Sequence, residues 1–331
     1  MVAGTSAGRP VLAIGECLID LIADDGDLLT ATSCAIREGG APANVAVAIA
    51  RLGVPSAFCG VVGDDPFGKR LRHLLKRERV DVSRLRATSE AETSMALAWT
   101  DEAGDGRFHL LRHADRLLSA ADVDRAGIGD VAAIVVGSVA LAAPPSREAI
   151  YRAVEIASSA GVPVVFDLNL RPSLWADIGE ARVICDPILR QATVIKLSLD
   201  DARGVLDAGE PAHVFAALAD VDALAIVVTD GPRGVWLKCR KDSKAVAVSP
   251  FVVDAVEPTG AGDAFTAALV VRLVGRGWTA PDADDLRYAA AAGALATTRH
   301  GALDGLPTVA ELAAFLREAD DEKVATSRQR L

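Results

Sequence analysis

Four short apolar runs recur at one spacing in the middle of the chain, and that regularity constrains the fold more than any other feature. VAAIVVGS begins at Val131, VPVVFDLN at Val162, TVIKLS at Thr193 and LAIVVTDG at Leu224, so successive starts lie 31 residues apart. Each run ends in polar residues or glycine, the pattern of a strand buried on both faces. That spacing holds one strand, one helix and two loops. The intervening stretches, such as SREAIYRAVEIASSAG from Ser146, show helical periodicity and end in glycine. The expected fold is a three-layer α/β/α sandwich around a mostly parallel central sheet. Ligands bind such sheets beyond the carboxyl ends of the strands. Those ends carry Asp167, Asn169, Arg171, Ser198, Asp201, Thr229 and Gly231.

The N-terminal third follows the same plan with interruptions. VLAIGE (11–16) and SAFCGVVG (56–63) read as strands, and ANVAVAIARLG (43–53) as a helix. Residues 17–38 suggest two short strands around DDGD. Residues 93–112 suggest a hairpin around DEAGDG. Both should leave the main sheet as a small β-sheet lid, with segments of about 17–38 and 93–113. Near the other end come two β-runs, 234–238 and 244–248, then helices at about 261–275, 283–299 and 308–319. Residues 320–331 are polar and expected to fray. No long Pro/Gly/Ser linker divides residues 1–331, so the expectation is a single domain carrying a lid.

Bulk properties narrow the partners. A net charge of -10 without a basic face argues against nucleic acid. The five cysteines, at 17, 34, 59, 185 and 239, form no C-x-x-C pair, so neither a disulfide framework nor a zinc site is expected. The longest apolar stretch, residues 131–143, is shorter than the ~20 residues a membrane-spanning helix needs. Residues 1–8 do not resemble a signal peptide. A soluble cytoplasmic protein is expected.

The segment EPTGAGDAF (257–265) carries the chemistry. Two glycines stand where an apolar helix is about to begin, with an acid behind them. A helix N-terminus exposes backbone amides and partial positive charge, and glycine lets an anion come close. Gly260, Ala261 and Gly262 can therefore cradle a phosphoryl group. Asp263 would repel a phosphate that was merely bound, but suits a base taking the proton from an attacking hydroxyl. Taken alone, Asp263 is also compatible with an ordinary helix cap. A dinucleotide fingerprint fits poorly, because Phe265 stands where its third glycine belongs. GDDPFGKR (63–70) mimics a P-loop, yet ends in Arg70 instead of Ser or Thr and contains two acids and a proline. A turn into a helix at 66–78 explains it better.

Four motifs in order, GGAPANVAVAIARLG (39–53), GVVGDDPFGKRL (60–71), DLNLRPSLW (167–175) and EPTGAGDAF, resemble the PfkB-type, ribokinase-like carbohydrate kinases, fructokinases above all. The resemblance runs from about residue 11 to 318. It implies ATP- and Mg²⁺-dependent phosphoryl transfer to a sugar hydroxyl, with Asp263 as base and Gly260, Ala261 and Gly262 as anion hole. It implies sugar contacts from Asp20, Gly39, Gly40 and Asn44, and nucleotide contacts from Lys196, Ser198, Thr229, Gly231, Gly234, Gly262 and Gly293. Arg112 and Arg171 could clamp phosphate or an acidic sugar, or form structural ion pairs.

Two positions depart from the family pattern. Glu257 replaces the usual aspartate associated with a monovalent cation, which puts K⁺ activation in question. Asp201 replaces a glutamate of the magnesium network, where it would act through water. GGAPAN and Leu110 favour fructose over 2-keto-3-deoxygluconate. Another sugar or nucleoside kinase, and a sugar-binding protein without turnover, are the remaining alternatives. Family members often pair through the lid, so a homodimer is expected, with MALAW (95–99) supplying apolar alternation.

Overall fold

Buried apolar runs give the chain its frame. The computed structural model describes residues 8–24, 26–100, 106–240 and 243–328, with side chains as far as residue 321. The N-terminal part runs β1 (Val11–Ile14), β2 (Leu18–Ala23), β3 (Cys34–Gly39), α1 (Ala41–Arg51), β4 (Ser56–Gly63), α2 (Pro66–Arg77), β5 (Val80–Thr88), β6 (Met95–Thr100) and β7 (Gly106–Leu111). The middle runs α3 (Ala120–Asp124), β8 (Ala133–Gly137), α4 (Ser146–Ala160), β9 (Val164–Asp167), α5 (Ile178–Leu189), β10 (Val194–Ser198), α6 (Leu199–Leu206), α7 (Pro211–Ala217) and β11 (Ala225–Thr229). The remainder is β12 (Val235–Lys238), β13 (Val246–Val248), α8 (Ala261–Gly275), α9 (Ala283–Ala296) and α10 (Val309–Arg328).

Nine strands form the main sheet in the order β13-β12-β11-β10-β9-β8-β1-β4-β5. Its neighbours pair in parallel except at β11–β12 and β12–β13, which are antiparallel. Every residue of β1 and β4 is buried, as a sheet covered on both faces requires. One apolar cluster joins the sheet to α1, α2, α8 and α9; a second joins the opposite face to α4, α5, α6 and α7. The three-layer expectation is met. The chain leaves β1 towards β4 and β5, then returns to β1's other side as β8. The order reverses there, and a crevice opens at the carboxyl ends of β1 and β8.

β3, β2, β6 and β7 form a separate four-stranded sheet above that crevice. β2 pairs antiparallel with β3 and parallel with β6. Residues 101–105 of the expected DEAGDG turn lie outside the described residues. β5 escaped the sequence reading: Val80, Val82 and Leu85 face inward, but charged and polar residues interrupt them. α10 runs on to Arg328. The stretch expected to fray from 320 therefore begins as helix, because Glu, Lys and Ala there are good helix formers; residues 329–331 lie outside the described residues.

The P-loop mimic is a capped helix start. Asp65 is the N-cap of α2, and its carboxylate accepts the amides of Gly68 (2.8 Å) and Thr93 (2.7 Å) and the Thr93 hydroxyl (2.8 Å). Thr93 Oγ1 in turn accepts the Gly63 amide at 3.0 Å. This knot fixes the chain just before it enters the lid strand β6. Replacing Asp65 by Ala is expected to cost about 2 kcal/mol by denaturant unfolding, the upper range for losing a cap. An unchanged midpoint would show that the knot contributes nothing.

Candidate active site

The crevice holds a cavity of about 420 Å³. The lid supplies Leu18, Asp20, Phe108 and Leu110 to its wall; the α1 start supplies Gly40, Ala41 and Asn44; the α8 start supplies Gly260, Gly262 and Asp263. Asn169, Arg171 and Lys196 come from the ends of β9 and β10. Residues far apart in sequence thus converge because parallel strands end together.

α8 begins without a side-chain cap. Its N-cap, Gly260, is left-handed at φ 84°, and a Cβ there would lie 2.7 Å from the Ala302 carbonyl oxygen. Only glycine permits that turn and that approach together. The Ala261 amide donates to the Pro258 carbonyl at 3.2 Å. Helix geometry leaves the next amides free of intrahelical partners, so the helix start presents bare donors to the cavity. A side chain on Gly262 would crowd Lys196 Nζ at 3.1 Å. Gly293 lies where a Cβ would meet the Ala261 carbonyl at 3.1 Å, so it lets α9 pack against the start of α8.

Asp263 is only 7% exposed. Its Oδ2 accepts a hydrogen bond from Asn44 Nδ2 at 2.8 Å. Burial pushes the carboxyl up to about 7; the Asn44 bond opposes this, the Asp167 charge adds to it, and Lys196 and Arg171 oppose it. Lys196 is buried, and its Nζ donates to Asp167 Oδ1 at 2.9 Å, while Thr266 Oγ1 donates to Asp167 Oδ2 at 2.6 Å. Burial works against the Lys196 charge, but Asp167, Asp201 and Asp263 outweigh it and raise its pKa. A cation therefore stands beside the bare helix start. On the lid side, burial lifts Asp20 to about 7; Arg171 counters this, and the Asp263 and Glu257 charges reinforce it. Gly39 gives that carboxylate its room: a Cβ there would sit 2.2 Å from Asp20 Oδ2.

Asp20, Gly40, Asn44, Arg171, Lys196, Gly260, Gly262 and Asp263 are brought together as the sequence suggested. Arg112 is not. Its Nε donates to Asp115 Oδ2 at 2.6 Å, Nη1 to the Val139 carbonyl at 2.6 Å and Nη2 to Ser146 Oγ at 3.3 Å. With its side chain 6% exposed, it is spent on a buried ion pair. Of the two candidate arginines only Arg171 reaches the cavity, where Nη1 donates to Asn169 Oδ1 at 2.6 Å. Asp201 is likewise committed: its oxygens accept the Leu170 amide (2.7 Å) and the Ser198 amide (2.8 Å), in a capping box with Ser198 at the start of α6. Ser198 and Thr229 are paired neighbours at the ends of β10 and β11. Gly231 (φ 48°) and Gly234 (φ 119°) follow in the turn into β12. These four form a rim of the main sheet at the carboxyl ends of β10 and β11, and none of them lines the cavity. Glu257 Oε2 accepts the Gly301 amide at 2.9 Å and lies 3.5 Å from His300 Nδ1. Glu16, at the end of β1, lines the cavity although the sequence reading passed over it. An acid directly after a buried parallel strand was the available signal.

Glu16, Asp20 and Asp263 are each raised to about 7. The folded chain keeps their protons where the unfolded chain has lost them. The resulting stability is present below the ordinary carboxylate pKa and is lost as pH rises through 7. The ligand-free melting temperature is expected to fall between about pH 5.5 and 8, and to fall less in Asp263→Asn. A rise over that window would contradict the burial of these groups.

Known proteins resemble this chain along most of its length. Residues 9–309 match the family described as pfkB family carbohydrate kinase. The chain is 38% identical over 306 residues to a fructokinase of Klebsiella pneumoniae, covering 90% of this chain and 96% of that one. It is 37% identical over 325 residues to fructokinase-2 of Zea mays, covering 94% and 95%. Among solved structures, a fructokinase double mutant from Vibrio cholerae with fructose, ADP and potassium ion bound superposes with a TM-score of 0.83 at 34% identity, covering 95% of this chain and 100% of that one. A fructokinase from Xylella fastidiosa with bound ATP superposes at 0.84 and 30% identity, covering 94% and 99%.

Proposed function

This chain belongs to the pfkB family of carbohydrate kinases, and from that premise we propose that it phosphorylates D-fructose from ATP, giving fructose 6-phosphate. The observation that carries the reading is Asp263: a buried carboxyl at an uncapped helix start, inside a cavity with a second acid, Asp20, on the lid. The sugar hydroxyl attacks the γ-phosphorus, its proton passes to Asp263, and ADP leaves. The bare amides at the α8 start and the charges of Lys196 and Arg171 stabilise the negative charge on the transferring group. Asn44 orients the base. Asp20 accepts sugar hydroxyls, and the lid excludes water that would otherwise hydrolyse ATP. The Ser198–Gly234 rim and the α9 side of α8 are where the nucleotide lies.

Among the described residues no group of three His, Cys, Asp or Glu side chains stands ready for a metal. That suits Mg²⁺ carried by the ATP phosphates with its own waters, where it neutralises phosphate charge. Glu257 is the candidate for a monovalent cation. Its Oε2 already accepts the Gly301 amide, which leaves less of the carboxylate for an ion, so K⁺ should stimulate only weakly.

Fructose is favoured over 2-keto-3-deoxygluconate because Arg112 is consumed structurally and Leu110 is apolar in the cavity wall. Arg171 alone could take a carboxylate, which keeps the keto acid as the second reading. Leu21 pairs with Ile36 and Leu97 on the lid face opposite Asp20. A second copy covering that face would give a homodimer. No helix among the described residues is long and apolar enough to cross a membrane, and an ATP-consuming kinase of this kind belongs in the cytoplasm.

The test is ADP release with Mg-ATP against fructose, ribose, 2-keto-3-deoxygluconate and adenosine. Fructose is expected to give the highest kcat/KM; a preference for the keto acid would move the assignment to Arg171. Asp263→Asn should keep sugar and ATP binding while losing about 10²–10⁴-fold in kcat. Near-normal turnover in that variant would remove Asp263 as the base.

A further inference from the structure

Glu16 is a carboxylate that the reaction above does not use. It follows β1, is 4% exposed, and lines the main cavity. Its Oε2 is buried without a hydrogen-bond partner among the described residues. Leaving a buried acceptor unpaired is costly, more so when it can carry charge. Asn44 Oδ1, in the same cavity wall, is also buried and unpaired. Together with Asp20 they place three oxygen acceptors on this part of the wall, and a polyol supplies donors. Behind Glu16 lies a second space of about 10 Å³, bordered also by Ser138, Asp167 and Asn169. It is about the size of one water.

We infer that Glu16 is a specificity-determining residue for the acceptor substrate: its Oε2 takes a hydrogen bond from a hydroxyl of the bound sugar. The inference rests on the sugar-kinase reading above. Burial also pushes this carboxyl up to about 7, against its own backbone amide and Arg112 and Arg171, and with the Asp115 charge. The group is held at a cost that a sugar hydroxyl would relieve.

Two variants separate recognition from structure. Glu16→Leu removes the acceptor at similar size, and Glu16→Gln keeps one. In ADP-release assays Glu16→Leu is expected to raise the fructose KM about ten- to a hundredfold, leaving the ATP KM unchanged. Glu16→Gln should stay within a few-fold of the parent. Without ligand, Glu16→Leu should melt no lower than the parent, because it deletes an unpaired buried group. The rise in melting temperature that fructose induces without ATP should shrink in Glu16→Leu and persist in Glu16→Gln. Fructose analogues lacking one hydroxyl add a direct probe: the parent should lose binding to one of them, and Glu16→Leu should not discriminate against that one. An unchanged fructose KM with a lowered ligand-free melting temperature would make Glu16 a structural residue and overturn the inference. So would a fructose-induced shift that Glu16→Leu keeps in full, or no sugar-induced shift in the parent. Absence of ADP release from the parent with every sugar would instead overturn the kinase reading, and the thermal shifts would still judge Glu16.

Discussion

The hydrogen bond between Asn44 and Asp263 joins the two helices on which the site is built. α1 follows the lid strand β3, and α8 opens with the glycine turn, so this one contact sets lid-side recognition against the bare helix start. It is also the largest of the contributions that favour the buried Asp263 carboxylate, ahead of the Lys196 and Arg171 charges. Gly260 completes the arrangement. Its left-handed turn against Ala302 denies α8 a side-chain cap and leaves amide donors facing the cavity. Packing and chemistry share a cause here: the approach that only glycine allows is the one that exposes the donors.

The sheet explains why these parts meet. Strand order reverses at β1 and β8, so the ends of β1, β8, β9 and β10 surround one crevice. Glu16, Asn169 with Arg171, and Lys196 arrive there from three separate stretches of chain. The lid is hydrogen-bonded as its own sheet, which lets it cover the crevice without disturbing the core. The Asp65–Thr93 knot fixes where the chain enters β6. The site is consequently rigid on the sheet side, and on the lid side it depends on how that small sheet sits.

Much of this was legible because the underlying physics is local. Runs buried on both faces are continuous in sequence, so β4 was read at its observed bounds, Ser56–Gly63, and α8 at Ala261–Gly275. The glycine turn and its following acid announced the helix start. What was missed depends on distant partners or on mixed patterns. β5 interleaves arginines with its buried residues, because Arg84 and Arg86 reach Asp81 and Asp122 at the sheet edge. Arg112 looked available because Val139 and Ser146, which consume it along with nearby Asp115, are far away in sequence. The capping of α6 by Asp201 was likewise not read, because its Leu170 partner is distant in sequence. Glu16 sat inside a quoted motif, but only three-dimensional burial shows that its oxygen lacks a partner.

The central claim is that the γ-phosphoryl group of ATP is delivered to a sugar hydroxyl at the α8 start, with water excluded. Phosphorus NMR of the purified protein with Mg-ATP and fructose tests it most directly, because it identifies where the phosphoryl group goes. The account expects a sugar phosphomonoester signal growing one-to-one with ADP, with little inorganic phosphate. Inorganic phosphate as the main product, or ATP left intact beside fructose, would contradict it.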